Sequence, residues 1–206
     1  INTELIMKDL ETIEKSWKKT EGEAKTGKKE AIKKLEILKI IKAALESGTL
    51  ANQLSVDFSA LSDLSLLTAK KQIYLLNGSA TDVNDELKNK IKDLKADYVI
   101  ADLSAGELNL APLIQKAYEV LGLISFFTTG EDETRAWTIK LETKAPQAAG
   151  AIHSDFETKF IRAEVINWKK LIEAGGWTQA KSKGWLRLEG KDYVAQNGDV
   201  MVIRHG

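Results

Sequence analysis

Two stretches in the last third of the chain decide its fold: residues 135–141, Arg-Ala-Trp-Thr-Ile-Lys-Leu, and residues 160–165, Phe-Ile-Arg-Ala-Glu-Val. Both alternate polar and apolar side chains, which is typical of a β-strand with one buried face. Further short strands are predicted at 185–188, 193–195 and 200–204. Pro146 opens a short helix among them, and short strands around one or two small helices predict a compact α+β domain over residues 123–206.

Residues 72–122, just upstream, alternate between short apolar strands and helices. Strands are predicted at 72–76 and 98–101, and helices at 82–95 and 108–120. This order predicts parallel strands, with the loops that follow them at one edge of the sheet. Because two parallel strands do not make a stable sheet alone, we expect this segment to be the remnant of a larger α/β domain.

Residues 1–71 are predicted to form a helical arm. An apolar stripe along residues 4–20 predicts one amphipathic helix, and a glycine-containing break at 21–27 separates it from a second, with Thr26 predicted to cap the second helix. Two helices of similar length joined by a short loop predict an antiparallel hairpin. Residues 49–71 follow as a looser helical stretch.

Composition excludes several kinds of chemistry. The 206 residues include no Cys, two His, and 30 basic and 30 acidic side chains, so the formal net charge is zero. The lack of Cys excludes disulfides and thiolate catalysis, and two distant His argue against a His-based metal site. No catalytic residue and no metal site are predicted. No apolar run reaches transmembrane length and no secretory signal is visible, so we expect a cytoplasmic location without a membrane partner.

The strongest local excess of charge lies between Lys25 and Lys42, where seven lysines accompany only Glu30 and Glu36. On a helix such a run forms either a solvated face, which is the commoner outcome, or a basic arm that contacts phosphate. Both interpretations stay open at this point.

Ordered motifs along the whole chain resemble the Obg-like ATPases of the YchF family. They are densest in the C-terminal domain, at 126–128, 135–139, 145–150, 152–157, 160–165, 188–194 and 198–200. Residues 1–5 and the loop at 24–27 resemble the helical, coiled-coil insertion of that family. The resemblance implies a ubiquitin-like β-grasp fold, the TGS domain, for the C-terminal part.

The expected architecture therefore has three parts and belongs to the α+β class. Residues 1–71 are expected to be the antiparallel helical hairpin, residues 72–122 a partial α/β nucleotide-binding domain (the remnant of the G domain), and residues 123–206 the β-grasp TGS domain.

Members of the family are P-loop ATPases that associate with ribosomes and prefer ATP over GTP. These 206 residues contain no Gly-x-x-x-x-Gly-Lys-Ser/Thr phosphate loop. The chain is therefore expected to be the C-terminal portion of a longer protein and to bind ATP weakly or not at all. Mg²⁺ would bind only together with the phosphate-loop region, and this chain alone is not expected to hydrolyse ATP.

The resemblance also implies two base-side loops of a purine site. The predicted nucleotide-binding residues are Asn77, Gly78, Ser79, Ser104 and Ala105. Asn77 would brace the first loop and the purine, and the backbone amides of the two residues after it would lie near adenine. Ala80 stands where the family has Glu, so an acceptor for a base-edge donor is missing. From spacing alone, Asn-Gly is also the commonest short turn signature.

Candidate RNA contacts are basic residues of the C-terminal domain: Lys169, Lys170, Lys181, Lys183, Arg187 and Lys191. Trp137, Trp168, Trp177 and Trp185 can stack on bases, although alternation also makes Trp137 and Trp185 candidates for the core. His153 lies beside Asp155 and is either a buried or capping residue or an acid–base group; no nucleophile accompanies it to support the second role.

Three functions stay open. The first is the arm, partial G domain and TGS domain of a ribosome-associated nucleotide-binding protein, whose full-length form hydrolyses ATP. The second is a stand-alone module that contacts rRNA or a protein without nucleotide chemistry. The third is part of a protein with no independent activity. The expected partners are the ribosome or rRNA and a purine nucleotide, and the oligomeric state is left open.

Overall fold

The computed structural model describes residues 1–104, 109–130 and 132–206. The chain divides into two compact units, Ile1–Lys116 and Ala117–Gly206. Both contain helices and strands, so the predicted α+β class is confirmed in this broad sense. The finer boundaries, after residues 71 and 122, stay predictions.

Two packed helices open the first unit: α1 (Asn2–Lys25) and α2 (Lys29–Glu46). Ion pairs join Lys28 to Glu23 at 3.8 Å and Lys42 to Glu14 at 3.6 Å, so the helices run in opposite directions. Their facing stripes form the core of the unit, with fully buried side chains at Ile13, Leu38, Ile41 and Leu45.

The break between these helices is shorter than the sequence predicted. α1 continues through Gly22 to Lys25, and Thr26 ends it: the Thr26 hydroxyl donates to the Glu23 carbonyl at 2.7 Å instead of capping α2. Gly27, at φ +82°, makes the left-handed turn between the helices. A single exposed glycine costs a helix only about 1 kcal/mol, and the packing of α1 on α2 outweighs that cost.

A buried carboxylate ties the stretch after α2 back to α1. This stretch contains two 3₁₀ turns, Ala51–Gln53 and Phe58–Leu64, where a looser helix was predicted. Asp9, 1% exposed, accepts hydrogen bonds from the backbone amides of Leu67 at 2.8 Å and Thr68 at 2.7 Å, and from the Thr68 hydroxyl at 2.6 Å. These three donors satisfy a carboxylate that would otherwise be costly to bury.

The remainder of the first unit is a strand–helix–strand–helix segment. Its elements are β1 (Ile73–Asn77), α3 (Asp85–Asp93), β2 (Asp97–Ala101) and α4 (Ala111–Leu121), the last crossing into the second unit. β1 and β2 pair in parallel, which confirms the predicted pairing, and Leu75 lies opposite Val99. α3 begins later than predicted because Asn84 caps it, accepting a hydrogen bond from the Leu87 amide at 2.9 Å.

A five-stranded mixed sheet organises the second unit. Its strands are β3 (Leu123–Thr129), β4 (Thr134–Lys140), β5 (Phe160–Asn167), β6 (Arg187–Glu189) and β7 (Asp199–His205), in the order β4-β3-β7-β5-β6. β3 and β7 are parallel, and the other neighbours are antiparallel. Its helices are α5 (Ala145–Ile152), α6 (Ser154–Thr158), α7 (Trp168–Ala174) and α8 (Trp177–Ser182).

Alternation along the strands gives the sheet two packed faces. One face, with Phe126 and Met201, packs against alanines of α5 such as Ala149. The opposite face, with Ile166 and Val200, packs against α7 and α8. The predicted strand at 193–195 is wrong: an isolated antiparallel bridge pairs Val194 with Lys144, through backbone hydrogen bonds from Ala145 to Tyr193 at 2.8 Å and from Ala195 to Thr143 at 3.0 Å, and the pairing does not extend into a ladder.

The turn at residues 197–199 bonds to both β3 and α7. Asn197 Oδ1 accepts a hydrogen bond from the Ser125 amide at 3.0 Å, and the Gly198 amide donates to the Ser125 carbonyl at 2.8 Å. The Gly198 carbonyl accepts one from the Trp168 amide at 2.9 Å. Gly198 has φ +87°, and a Cβ there would lie 2.7 Å from Trp168 Cδ1, so glycine is required by conformation and by space.

Candidate nucleotide and RNA sites

Asn77 joins the two loops that were predicted to flank a purine. It ends β1, and its Oδ1 accepts a hydrogen bond from the Leu103 amide at 2.9 Å, in the loop after β2. The strands are parallel, so both loops leave the same edge of the sheet. The structure thereby brings Asn77 close to the Ser104 segment, whereas Ala105 lies outside the described residues.

Both backbone amides predicted to lie near adenine already have acceptors within the chain. Gly78 donates to the Ala101 carbonyl at 3.1 Å. Ser79 donates to Asp82 Oδ2 at 2.7 Å through its amide and again at 2.7 Å through its hydroxyl. The Ser79 hydroxyl and amide lower the pKa of the Asp82 carboxyl. Asp82 therefore occupies the donors that a base would need.

Ser104 is engaged in the same way. Its amide and hydroxyl donate to Asp102 Oδ1 at 2.9 Å and 2.5 Å. The two loops thus present carboxylate acceptors, from Asp82 and Asp102, at their surface. Such a surface repels phosphate groups.

The lysine-rich stretch of the arm is largely ion-paired. Five of its seven lysines have carboxylate partners, at distances of 3.7, 3.8, 3.5, 2.7 and 3.6 Å: Lys25–Glu21, Lys28–Glu23, Lys33–Asp57, Lys34–Asp63 and Lys42–Glu14. This pairing favours the solvated-face interpretation over a free basic arm, because little of the positive charge is left uncompensated.

The six RNA-contact candidates are distributed over several elements of the second unit. Lys169 and Lys170 lie on α7, Lys181 on α8, Lys183 after α8, Arg187 in β6 and Lys191 in the following loop. Two of the lysines lie over tryptophan rings: Lys169 Nζ is 5.6 Å from the Trp168 centroid and Lys183 Nζ is 4.7 Å from that of Trp185.

Arg187 differs from the other candidates because it takes part in a structural network. Its Nε donates to Glu189 at 2.9 Å and its Nη2 to the Tyr193 hydroxyl at 2.8 Å. That hydroxyl donates to Asp199 Oδ2 at 2.7 Å, and Asp199 is 2% exposed. Burial, together with the Asp199 carboxylate, raises the pKa of Tyr193 well above its ordinary range.

A groove on the α7–α8 side of the sheet was not predicted from the sequence. It has a volume of about 270 Å³ and apolar walls from Trp177, Leu186 and Val202. Lys181 of α8, Arg204 of β7 and Glu164 of β5 also line it. Arg204 is the residue that sequence reasoning left out, and its position two residues after Val202 on one strand was the available signal.

Other candidates have structural roles. His153 caps α6, since its Nδ1 accepts a hydrogen bond from the Asp155 amide at 3.2 Å, so the capping interpretation is confirmed. Trp137 packs against the α5 side of the core and its Nε1 donates to Thr128 at 2.9 Å, and Trp185 packs against the opposite side.

Within the described ranges no helix is long and apolar enough to cross a membrane, and no cluster of three metal-ligating side chains occurs.

The order of elements along the chain defines the fold class: a helical pair and two parallel strands come first, and a mixed-sheet domain of α+β type follows. Residues 123–206 match the family model YchF-GTPase_C, described as a protein of unknown function (DUF933). A relative named ribosome-binding ATPase YchF, from Bacillus subtilis, is 38% identical over 99% of this chain and 64% of its own length. Obg-like ATPase 1 of Oryza sativa is 32% identical, over 99% of this chain and 60% of its own length.

A solved structure agrees with these relatives. The chain is similar to the YchF GTPase of Schizosaccharomyces pombe, with a TM-score of 0.75 and 27% identity, over 99% of this chain and 64% of that one. The chain is homologous along 99% of its length to YchF and Obg-like ATPases, and the resemblance seen in its motifs is confirmed. It spans about 64% of the length of the first curated relatives that it matches.

Proposed function

We propose that this chain is the C-terminal portion of a cytoplasmic, ribosome-associated P-loop protein that binds ATP or GTP. One observation carries the proposal: similarity to proteins named ribosome-binding ATPase runs along 99% of the chain. Within that protein, the chain would supply the ribosome-facing elements and the base side of the nucleotide site.

The three predicted parts belong to this proposal. The antiparallel pair of α1 and α2 supports a helical, coiled-coil arm, and the parallel pair of β1 and β2 supports a partial G domain. A mixed sheet packed against α5 supports the β-grasp TGS domain.

Nucleotide chemistry is divided in this proposal between the chain and a phosphate-loop region. Base-side contacts would come from Asn77 and its neighbours, whereas phosphates and Mg²⁺ need a glycine-rich loop that these 206 residues do not contain. ATP turnover should be measured for this chain and for a version extended upstream to include a phosphate loop. We expect turnover only in the extended version, and equal turnover by both would contradict the division.

Ribosome association has its own test. The chain is mixed with purified ribosomes and co-sedimented at a series of salt concentrations. We expect co-sedimentation at low salt that declines as salt rises, because phosphate contacts release counterions. Absence of binding at every salt concentration would contradict the proposal.

A module without nucleotide chemistry remains the second candidate. It is favoured by the loop after β1, where Asp82 occupies the Ser79 donors and Ala80 offers no acceptor. The two candidates differ in a nucleotide response. If nucleotides leave the ribosome affinity of the extended version unchanged and do not bind the loop, the module is correct.

A further inference from the structure

We propose that the groove between α8 and the sheet binds single-stranded RNA, with one base against Trp177 and backbone phosphates on Lys181 and Arg204. The inference rests on the proposed ribosome association and assigns the RNA contact to a defined surface of the second unit. Of the six basic candidates from the sequence, it selects Lys181 and adds Arg204, which was not among them.

The groove has the shape and chemistry for one flat ring. Trp177 and Lys181 are four residues apart on α8, so both side chains lie on one side of that helix. Leu186 and Val202 complete the apolar surface around the indole. A volume of about 270 Å³ is small for a protein helix, whose recognition needs a groove several turns long.

Charge at the groove favours a polyanion. Among the residues that the structure describes, Lys181 has no ion-pair partner. Arg204 contacts Glu164 through Nε at 3.2 Å and Nη2 at 3.1 Å, both to the same Oε1 atom. That pairing neutralises Glu164 and leaves other guanidinium N–H groups for a phosphate. The three charged side chains that line the groove therefore carry one net positive charge, that of Lys181.

Two other cation–tryptophan pairs lie elsewhere in the second unit. Lys183 lies over the ring of Trp185, and Lys169 over that of Trp168, which is 42% exposed. Aromatic rings interleaved with cations are the usual platform for single strands, because each base offers a face for stacking and each nucleotide a phosphate. In duplex RNA the bases are stacked on one another and are not available to a tryptophan.

The first experiment measures charge at the groove. Fluorescence anisotropy gives the affinity of the full 206-residue chain for a labelled 12-nucleotide single strand and for a duplex of the same length. We expect the single strand to bind at least about fivefold more tightly. Lys181→Gln should weaken single-strand binding and reduce the steepness of its log–log salt dependence by about 0.7. Lys159→Gln, which removes an exposed charge beside α6, serves as the control and should change neither quantity.

The second experiment separates stacking from folding. Trp177→Leu keeps apolar bulk but removes the stacking ring, and should weaken single-strand binding by roughly fivefold or more. Trp177→Phe keeps an aromatic ring and should retain most of the affinity. Thermal melts show which variants fold. If Trp177→Leu does not fold, the results for Lys181→Gln and Trp177→Phe still decide the matter.

The outcomes distinguish this inference from the proposed function. If ribosomes bind the chain but Lys181→Gln and Trp177→Leu bind RNA and ribosomes like the parent, the groove proposal is wrong and ribosome association stands. Equal binding of the single strand and the duplex also overturns the groove proposal. Binding to ribosomes without binding to either oligonucleotide overturns it as well, and indicates a contact with ribosomal protein. If the chain does not bind ribosomes, both the groove proposal and the proposed ribosome association are wrong.

Discussion

At the scale of single residues, Asp82 occupies hydrogen-bond donors of the loop after β1. Its carboxylate accepts both donors of Ser79, within a turn that also holds Gly78 at φ +135°. Asp82→Ala should release these donors, so we expect adenine nucleotides to bind more tightly, by roughly threefold or more for the regained hydrogen bonds. Saturation-transfer NMR with ATP measures this. Asp85→Ala, which removes an exposed carboxylate of α3, is the control, and equal binding by both variants would mean that the Ser79 donors do not meet the base.

Tyr193 makes stability depend on pH in the alkaline range. Because the pKa of Tyr193 is raised in the folded protein, its proton is held more tightly there than in the unfolded chain. The stabilisation is complete below the unfolded pKa of about 10 and is lost as pH rises through the folded pKa. We expect Tyr193→Phe to show a smaller decline in unfolding free energy between pH 9 and about 11 than the parent, measured by urea titration. An unchanged decline would contradict the role of the Asp199 contact.

Some contacts of single residues could be predicted from the sequence, and others could not. Asn77 was predicted to brace the loop, and its carboxamide does bond to the neighbouring loop. The nucleotide role of these residues stays a prediction. The occupation of the Ser79 donors could not be foreseen, since it depends on a 3₁₀ turn that returns Asp82 to them. Arg187 was grouped with the RNA-contact candidates because its partners, Tyr193 and Asp199, become neighbours only in the folded sheet.

At the scale of elements, local patterns predicted strands better than ends and loops. β4 and β5 coincide closely with the alternating stretches at 135–141 and 160–165, because alternation records a buried face directly. The end of α1 was misplaced because packing on α2 carries it past Gly22. The groove was missed because it exists only where α8 lies over β7, a contact between distant segments.

The contact between α1 and α2 gives a matched pair of substitutions on neighbouring residues. Ile41 is fully buried between the helices, whereas Ile40 is 50% exposed. Ile41→Ala should lower the unfolding free energy by about 2–5 kcal/mol, through lost burial and a residual cavity. Ile40→Ala should change it by less than about 0.5 kcal/mol. Urea unfolding followed by circular dichroism measures both, and equal effects would contradict the placement of the apolar stripe.

At the scale of the whole molecule, each compact unit has a core of its own. The first unit is centred on residues such as Leu38, and the second on residues such as Phe126. We therefore expect Ile41→Ala to increase amide hydrogen exchange in residues 1–116 while leaving protection in the sheet of residues 117–206 unchanged. Exchange measured by mass spectrometry after proteolysis tests this. Matching increases in both units would show that they unfold together.

The glycine at position 198 has a consequence for how this domain can change in evolution. Its missing Cβ is the space that the Trp168 ring occupies, and the same turn bonds to β3. Even a residue that tolerates a positive φ at 198, such as Asn, would need a smaller ring or none at 168, and loss of that ring would in turn remove the platform under Lys169. Positions 168 and 198 are therefore expected to mutate as a pair, because the buried turn at Gly198 restricts which residue can occupy the partly exposed position 168.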